Sequence, residues 1–224
     1  MNVTEIVLLI TELIGTVAFA VSGALAAIDR DLDAFGVLFI GCITATGGGV
    51  LRDVMIGHTP PLIFSNLYVL GAAALTSLIV FVIAYRQRHK YHDLRDHLEA
   101  VNNVFDAVGL AAFSVMGTEV AIASGHGGNV VLSVCIGMLT GVGGGILRDM
   151  MTNSTPYVFK KHIYALASIS GSIIYYVMAR LGTGAAYATF AAMAVVIAIR
   201  LLATHFRWSL PRVRRDGIDK KPRM

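Results

Sequence analysis

Apolar residues in this chain gather into long runs that short polar stretches separate. Each run approaches the roughly 20 residues that an α-helix needs to cross the hydrocarbon core of a bilayer. The runs fall at about 6–28, 36–56, 66–84, 102–122, 130–151, 162–179 and 184–203. We therefore predict an all-α membrane protein with seven transmembrane helices.

The composition of the 224 residues agrees with that class. Hydrophobic residues make up 56% of the chain and charged residues 14%, and the mean hydropathy is +0.70. An average soluble domain has about 25% charged residues. Cys42 and Cys135 lie inside apolar runs and have no metal-ligand spacing around them. Because no nucleophile or acid–base pair has catalytic spacing either, we expect no catalytic residue, metal site or cofactor, and no enzyme.

The distribution of basic residues predicts the orientation in the membrane. Most of the 18 Lys and Arg residues fall in three loops on one side or in the tail after Trp208, and the opposite side keeps Arg180. Cytoplasmic loops retain Lys and Arg. We thus expect a multi-pass protein of the cell inner (plasma) membrane with its N-terminus outside and its C-terminus in the cytoplasm. The basic tail is interpreted as a topology signal or as a contact with anionic lipids, and we expect no nucleic acid partner.

A segment of nine residues occurs twice. Gly-Gly-Gly-Val-Leu-Arg-Asp-Val-Met at 47–55 returns as Gly-Gly-Gly-Ile-Leu-Arg-Asp-Met-Met at 143–151, and the register continues from Tyr68 to Tyr164. Each copy of the repeat holds three spans, so the second copy must lie upside down relative to the first. The predicted organisation is transmembrane repeat 1 over 1–84, a charged cytoplasmic linker over 85–100, inverted repeat 2 over 101–182, a seventh helix over 183–204 and a basic cytoplasmic tail over 205–224.

The two glycine triplets are the first candidate functional feature. Gly47, Gly48 and Gly49 fall inside the second span, and Gly143, Gly144 and Gly145 fall inside the fifth. Three consecutive glycines each cost about 1 kcal/mol relative to alanine in a helix interior. Matching interruptions in inverted repeats indicate a site near the bilayer midplane, so we predict helices two and five kinked or broken at the triplets. Close packing of small residues is the alternative.

Charged and hydroxyl side chains accompany each triplet. Arg52 and Asp53 follow the first triplet and Arg148 and Asp149 follow the second, where charges need a cavity or each other. Snorkelling of the arginines toward the membrane surface is the alternative. In a continuous helix Thr44 and Thr140 share the face of their arginine, so we predict that they line a pathway. These two pairs of charges sum to zero and predict no ion preference.

Two other acids in the spans occupy equivalent repeat positions. Glu12 and Asp106 each precede a repeated glycine, Gly15 and Gly109, by three residues. They either cap helix ends or line a vestibule, and the sequence leaves both interpretations open.

The paired Gly-Gly-Gly-x-Leu-Arg-Asp motifs resemble those of the prokaryotic trimeric intracellular cation (TRIC) channels, over about residues 5–204. The resemblance implies a homotrimer in the lipid membrane whose protomers each have a pore between helices two and five. The pore of the family passes monovalent cations, chiefly K⁺ and also Na⁺. By the same resemblance, the six triplet glycines match the kink-forming glycines, and both Arg-Asp pairs match the charges that follow them. Gating is expected at the kinked helices.

Two other functions stay open at this level. Closely similar bacterial sequences are also described as transporters of glycine or other small neutral amino acids. In such a carrier, helix N-termini would bind the carboxylate of glycine, and Asp53 or Asp149 would bind its ammonium group. A trimeric scaffold without flux is the third possibility.

Overall fold

The structure is a computed structural model that describes residues 3–87, 95–160, 163–206 and 208. Its seven long helices are α1 (Val3–Ile28), α2 (Ala34–Met55), α3 (Leu67–Arg86), α4 (Arg95–Ala121), α5 (Val130–Met151), α6 (Ile163–Arg180) and α7 (Ala185–His205). A π-helical turn (Ile122–His126) extends α4, and short helical turns (Leu62–Phe64 and Tyr157–Lys160) follow α2 and α5. All seven long helices are apolar and long enough to span a membrane. The predicted fold class is confirmed.

The first six helices form two units with the same internal packing. In the first unit α1, α2 and α3 all contact one another, and in the second α4, α5 and α6 do the same. The units meet through α1 against α4 and α2 against α5, whereas α7 packs on α4 and α6. Gly47 lies opposite Leu147 and Gly143 opposite Leu51, so α2 and α5 run in opposite directions. This reciprocal contact is that of an inverted repeat with a seventh helix outside it.

The ends of α2 and α5 follow from local sequence. The side chain of Asp33 accepts a hydrogen bond from Gly36 N at the start of α2, and Asn129 accepts one from Leu132 N at the start of α5. Such N-caps satisfy backbone donors that a helix leaves free. Both helices then end just before a residue with positive φ, Gly57 (80°) and Asn153 (51°). Asp33 and Asn129, like Gly57 and Asn153, are equivalent repeat positions.

Small residues let the central helices α1, α2, α4 and α5 approach closely. Phe19 of α1 and its repeat equivalent Phe113 of α4 lie with their ring centroids 5.3 Å apart. Each ring packs where the facing helix has a glycine: Gly109 against Phe19 and Gly15 against Phe113. Because lipid tails are as apolar as these side chains, close packing stabilises the bundle more than burial of apolar area does.

The segments around the spans differ in detail from the prediction. Helix α3 continues to Arg86 and α4 already begins at Arg95, so both enter the segment 85–100 that was predicted as a linker. Helix α7 ends at His205, and most of the predicted basic tail lies outside the described residues.

Candidate functional site at the crossing of α2 and α5

The two glycine triplets meet where α2 crosses α5. A methyl group on Gly48 would collide with the carbonyl oxygen of Thr140, and one on Gly144 would collide with that of Thr44. Both helices stay α-helical through the triplets. The predicted break into half-helices is therefore wrong, whereas a bend of the helix axes stays a prediction. The packing interpretation accounts for Gly48 and Gly144, because contact between two backbones leaves no room for a side chain.

The third glycine of each triplet has a different neighbour. A methyl group on Gly49 would find only the Arg52 guanidinium nearby, at 3.8 Å. On Gly145 it would lie 3.7 Å from the Arg148 guanidinium and 3.0 Å from the hydroxyl of Tyr164. A methyl group would therefore fit beside either guanidinium, and neither third glycine contacts the opposite helix; the close neighbour of Gly145 is the hydroxyl of Tyr164.

On one side of the crossing, Arg52 is bound to a single carboxylate. Its Nε and Nη2 both contact Asp53 Oδ1 at 2.8 Å, and Asp53 Oδ2 accepts a hydrogen bond from Leu62 N at 2.9 Å. Arg52 is 8% exposed. It borders a cavity of about 50 Å³ that Glu12 and Phe113 also line. Asp53 therefore fixes Arg52 and the loop after α2 together.

On the other side, Arg148 is bound to two carboxylates. Its Nε donates to Asp149 Oδ1 at 2.8 Å and its Nη1 to Asp106 Oδ1 at 2.9 Å. The same Nη1 donates to the hydroxyl of Ser22. Asp149 Oδ2 accepts from Tyr157 N at 2.8 Å, which repeats the bond of Asp53 to its loop. Arg148 is 1% exposed, so this guanidinium is wholly enclosed.

A larger polar cavity of about 560 Å³ lies beside Arg148. Its lining comes from α1 and the turn after it, α4, α5 and the loop after α5: Ala26, Asp29, Arg30, Glu99, Asn102, Arg148, Asp149, Thr152, Ser154, Thr155 and Tyr157. Arg30 donates to Ser154 across it. Ser22 donates to Asn102 at 2.7 Å, which links the lining to the Arg148 site. Burial raises the pKa of the Tyr157 hydroxyl in the loop after α5.

The alternatives left open by the sequence can now be decided. Both arginines point into the protein, which excludes snorkelling for them. Asp106 lies within α4 and pairs with Arg148, so it caps no helix end. Glu12 borders the smaller cavity and accepts a hydrogen bond from Tyr68 at 3.1 Å. Neither acid caps a helix end: Asp106 is a partner of the arginine, whereas a vestibule at Glu12 stays a prediction.

Thr44 and Thr140 lie at equivalent places beside the crossing. Each hydroxyl donates to a carbonyl of its own helix, Thr44 to Ile40 at 2.6 Å and Thr140 to Ile136 at 2.7 Å. Both residues are fully buried. Their role in lining a pathway stays a prediction.

The sequence reasoning missed three members of the Arg148 site. Tyr164 donates to Asp106 Oδ1 at 3.2 Å, and Arg200 Nη2 lies 3.6 Å from Asp106 Oδ2. Ser22 is the third. The recurrence of Tyr68 as Tyr164 and the basic residue in the seventh apolar run were available signals. No sequence signal pointed to Ser22, because the equivalent residue of the second repeat is Met116.

The crossing of α2 and α5 has an arginine near each end, Arg52 beside the smaller cavity and Arg148 beside the larger one. Arg52 lies one helical turn after Gly48, about 6 Å along the axis of α2. Arg148 lies the same distance after Gly144 along α5. Since the helices are antiparallel, the two arginines lie on opposite sides of the crossing. Within the described residues no group of three or more His, Cys, Asp or Glu could hold a metal ion.

Comparison with known proteins places this arrangement in a family. A family model described as "Glycine transporter" matches residues 9–85 and 103–180, one segment in each repeat. The UPF0126 inner membrane protein YadS of Escherichia coli K12 is 34% identical over 209 residues, which cover 89% of this chain and 93% of YadS.

Solved structures agree with the sequence matches. A structure concerned with conductance through TRIC cation channels has a TM-score of 0.80 and 32% identity, over 93% of this chain and 98% of that one. The TRIC trimeric intracellular cation channel orthologue from Rhodobacter sphaeroides has a TM-score of 0.80 and 27% identity, over 90% and 99%. The resemblance drawn from the paired motifs is confirmed. This chain belongs to the prokaryotic TRIC family, together with the UPF0126 membrane proteins and the proteins that the glycine transporter model describes.

Proposed function

We propose that this protein is a monovalent cation channel, chiefly for K⁺, with one pathway between α2 and α5 of each protomer. The observation that carries the proposal is the close crossing of Gly48 with Gly144, which has a buried arginine beside a cavity one helical turn away on each helix. The similar structures are described as cation channels, and one of them as trimeric. We infer that the protein forms a homotrimer. We place it in the inner membrane, because YadS is named an inner membrane protein, with the N-terminus outside and the C-terminus in the cytoplasm.

The charges that line both cavities support a preference for cations. The smaller cavity has two carboxylates, Glu12 and Asp53, against one guanidinium, Arg52. The larger has three carboxylates against two guanidinium groups: Asp29, Glu99, Asp149, Arg30 and Arg148. Each cavity therefore has a formal excess of one negative charge. Carboxylates around a pore attract cations and repel anions.

Gating would take place at the glycine crossing and its two arginines. In this proposal the structure is the closed state, because the backbones of α2 and α5 touch at Gly48 and Gly144. Opening requires the two helices to separate there and each arginine to swing aside. Glycine is suited to this motion, since a small bend of either helix meets no side-chain obstacle at the contact.

Recordings from the purified protein in a planar bilayer would test the proposal. We expect single-channel steps whose reversal potential follows the K⁺ gradient in KCl solutions of unequal concentration. Glu99→Gln removes one carboxylate from the larger cavity and should lower the permeability ratio of K⁺ to Cl⁻. Asp31→Asn is the matched control, because Asp31 is an exposed turn residue outside both cavities. A wild-type protein without current steps would contradict the channel.

Carriage of glycine or another small neutral amino acid is the second candidate, favoured by the description of the matching family model. Two observations count against the carrier mechanism in which helix N-termini and an aspartate bind glycine. Helices α2 and α5 offer no half-helix N-termini, and Asp53 and Asp149 already accept hydrogen bonds at both carboxylate oxygens. Saturable uptake of labelled glycine into proteoliposomes, with counterflow, would favour the carrier. Uptake equal to that of empty vesicles would exclude it.

A further inference from the structure

Helix α7 lies outside the inverted repeat, yet it supplies a buried cation to the Arg148 site. Arg200 is 2% exposed, and its guanidinium carbon lies 4.6 Å from the ring centroid of Tyr164. Its Nη2 lies 3.6 Å from Asp106 Oδ2, an ion pair slightly too long for a hydrogen bond. Among the described residues neither of these two atoms has a hydrogen-bond partner. Both are thus free to form a shorter bond with each other.

Asp106 is consequently shared between two arginines. Its Oδ1 accepts hydrogen bonds from Arg148 at 2.9 Å and from Tyr164 at 3.2 Å, while its Oδ2 faces Arg200. If Arg148 swings aside, a fully buried carboxylate loses its closest cation. Leaving a buried charge without its partner is strongly unfavourable. Arg200 would need to move by less than 1 Å to form a hydrogen bond with Asp106 in its place.

We propose that Arg200 is the positioning residue that neutralises Asp106 when Arg148 is released, so that α7 sets how readily the pathway opens on this side. The inference rests on the channel function proposed above. Repeat 1 needs no such residue, because Glu12 is half-buried at the edge of a cavity, where water can solvate its charge. The role therefore belongs to the one long helix that has no counterpart in the repeat.

Single-channel open probability tests this role. Arg200→Gln should lower the open probability at least tenfold, because release of Arg148 would then strand Asp106. Arg200→Lys keeps the charge and should recover part of the loss. Arg180→Gln is the matched control: Arg180 is an exposed arginine in the last turn of α6, and its loss should leave the open probability unchanged.

The double variant separates this role from simple packing. Asp106→Asn removes the carboxylate, so adding Arg200→Gln to it should change the open probability less than twofold. A packing role would give the same loss in both backgrounds and would overturn the inference. So would an Arg200→Gln protein that opens as often as the wild type.

Melting temperatures of the same proteins give a readout that needs no flux. Arg200→Gln should lower the melting temperature more when Asp106 is present than in the Asp106→Asn background. Absence of this coupling would refute the pairing of Arg200 with Asp106, even if the wild type proved not to conduct. Coupling without any effect on open probability would refute the gating role alone. A wild type without current would refute the channel function and, with it, that gating role.

Discussion

The two repeats share a backbone plan but bind their arginines differently. Arg52 contacts the one carboxylate of Asp53 beside a cavity of about 50 Å³. Arg148 contacts the carboxylates of Asp149 and Asp106 and the hydroxyl of Ser22, beside a cavity of about 560 Å³. Inverted symmetry thus fixes where the two arginines lie, but not how tightly each is held. Release of Arg148 should limit opening more than release of Arg52.

The difference comes from a few side chains at equivalent positions. Asp106 in α4 corresponds to Glu12 in α1, whose carboxylate binds Tyr68 at the edge of its cavity. Ser22, which accepts from Arg148, corresponds to Met116, which has no hydroxyl to offer. The two repeats differ in the side chains around the arginine, whereas the glycine triplets and the Asp53 and Asp149 that fix the loops are the same.

The strongest test of this comparison removes each arginine in turn. Arg148→Ala leaves Asp106 and Asp149 buried without their closest cation and should lower the free energy of unfolding by about 3–5 kcal/mol. Arg52→Ala leaves one buried carboxylate, Asp53, without its cation instead of two, and should cost less, about 1–3 kcal/mol. Unfolding in mixed micelles with increasing SDS would measure both. Equal losses would contradict the difference between the two sites.

The glycine crossing should behave in the opposite way, with equal effects in both repeats. Gly48→Ala and Gly144→Ala each place a methyl group against a backbone carbonyl of the other helix, and overpacking of this kind costs about 1–3 kcal/mol. Gly49→Ala is the matched control, because its methyl group would meet only the Arg52 guanidinium, at 3.8 Å. The same SDS titration applies. A loss for Gly49→Ala as large as that for Gly48→Ala would show that glycine is needed for flexibility rather than for contact.

The helices and the inverted repeat could be predicted from the sequence, because hydropathy and internal repetition are properties of the chain itself. The predicted run 130–151 coincides with α5 (Val130–Met151), and the repeat placed Gly48 and Gly144 at matching positions. The break at the triplets was predicted from helix propensity, which includes the free energy that glycine costs in a helix. It does not include the stabilisation that two helices gain when their backbones come into contact. Tertiary packing outweighed propensity there.

The partners of the arginines could not be read from the sequence for a geometric reason. Whether Asp106 faces Arg148 depends on the rotation of α4 and α5 about their axes, and 42 residues separate the two along the chain. Spacing within one helix predicts a shared face but not what lies opposite it. The same limit concealed Ser22 and Arg200, since each reaches the site from another helix.

Ser22 offers a smaller test on the Arg148 side alone. Ser22→Ala removes a hydroxyl that accepts from Arg148 and donates to Asn102, so Asn102 loses a donor inside the protein. We expect a loss of about 1–3 kcal/mol in the free energy of unfolding. The control is Ser170→Ala, since Ser170 is only partly buried and its hydroxyl donates a solvent-exposed hydrogen bond to Leu166 of its own helix. If the two variants lose the same stability, Ser22 contributes no more than a surface hydroxyl.

The smallest predicted effect concerns the tyrosines Tyr68 and Tyr164, which occupy the same repeat position. Tyr164→Phe removes the hydrogen bond to buried Asp106 and should cost about 1–2 kcal/mol, less than most bonds to charged groups because 3.2 Å is long for a hydroxyl donor. Tyr68→Phe removes an exposed bond to Glu12, for which water can substitute, and should cost under about 0.5 kcal/mol. Both changes keep the ring and delete one oxygen, so SDS titration of the two variants compares the sites directly. Reversal of this order would mean that Glu12, rather than Asp106, is the more tightly held carboxylate, and that the smaller cavity limits opening.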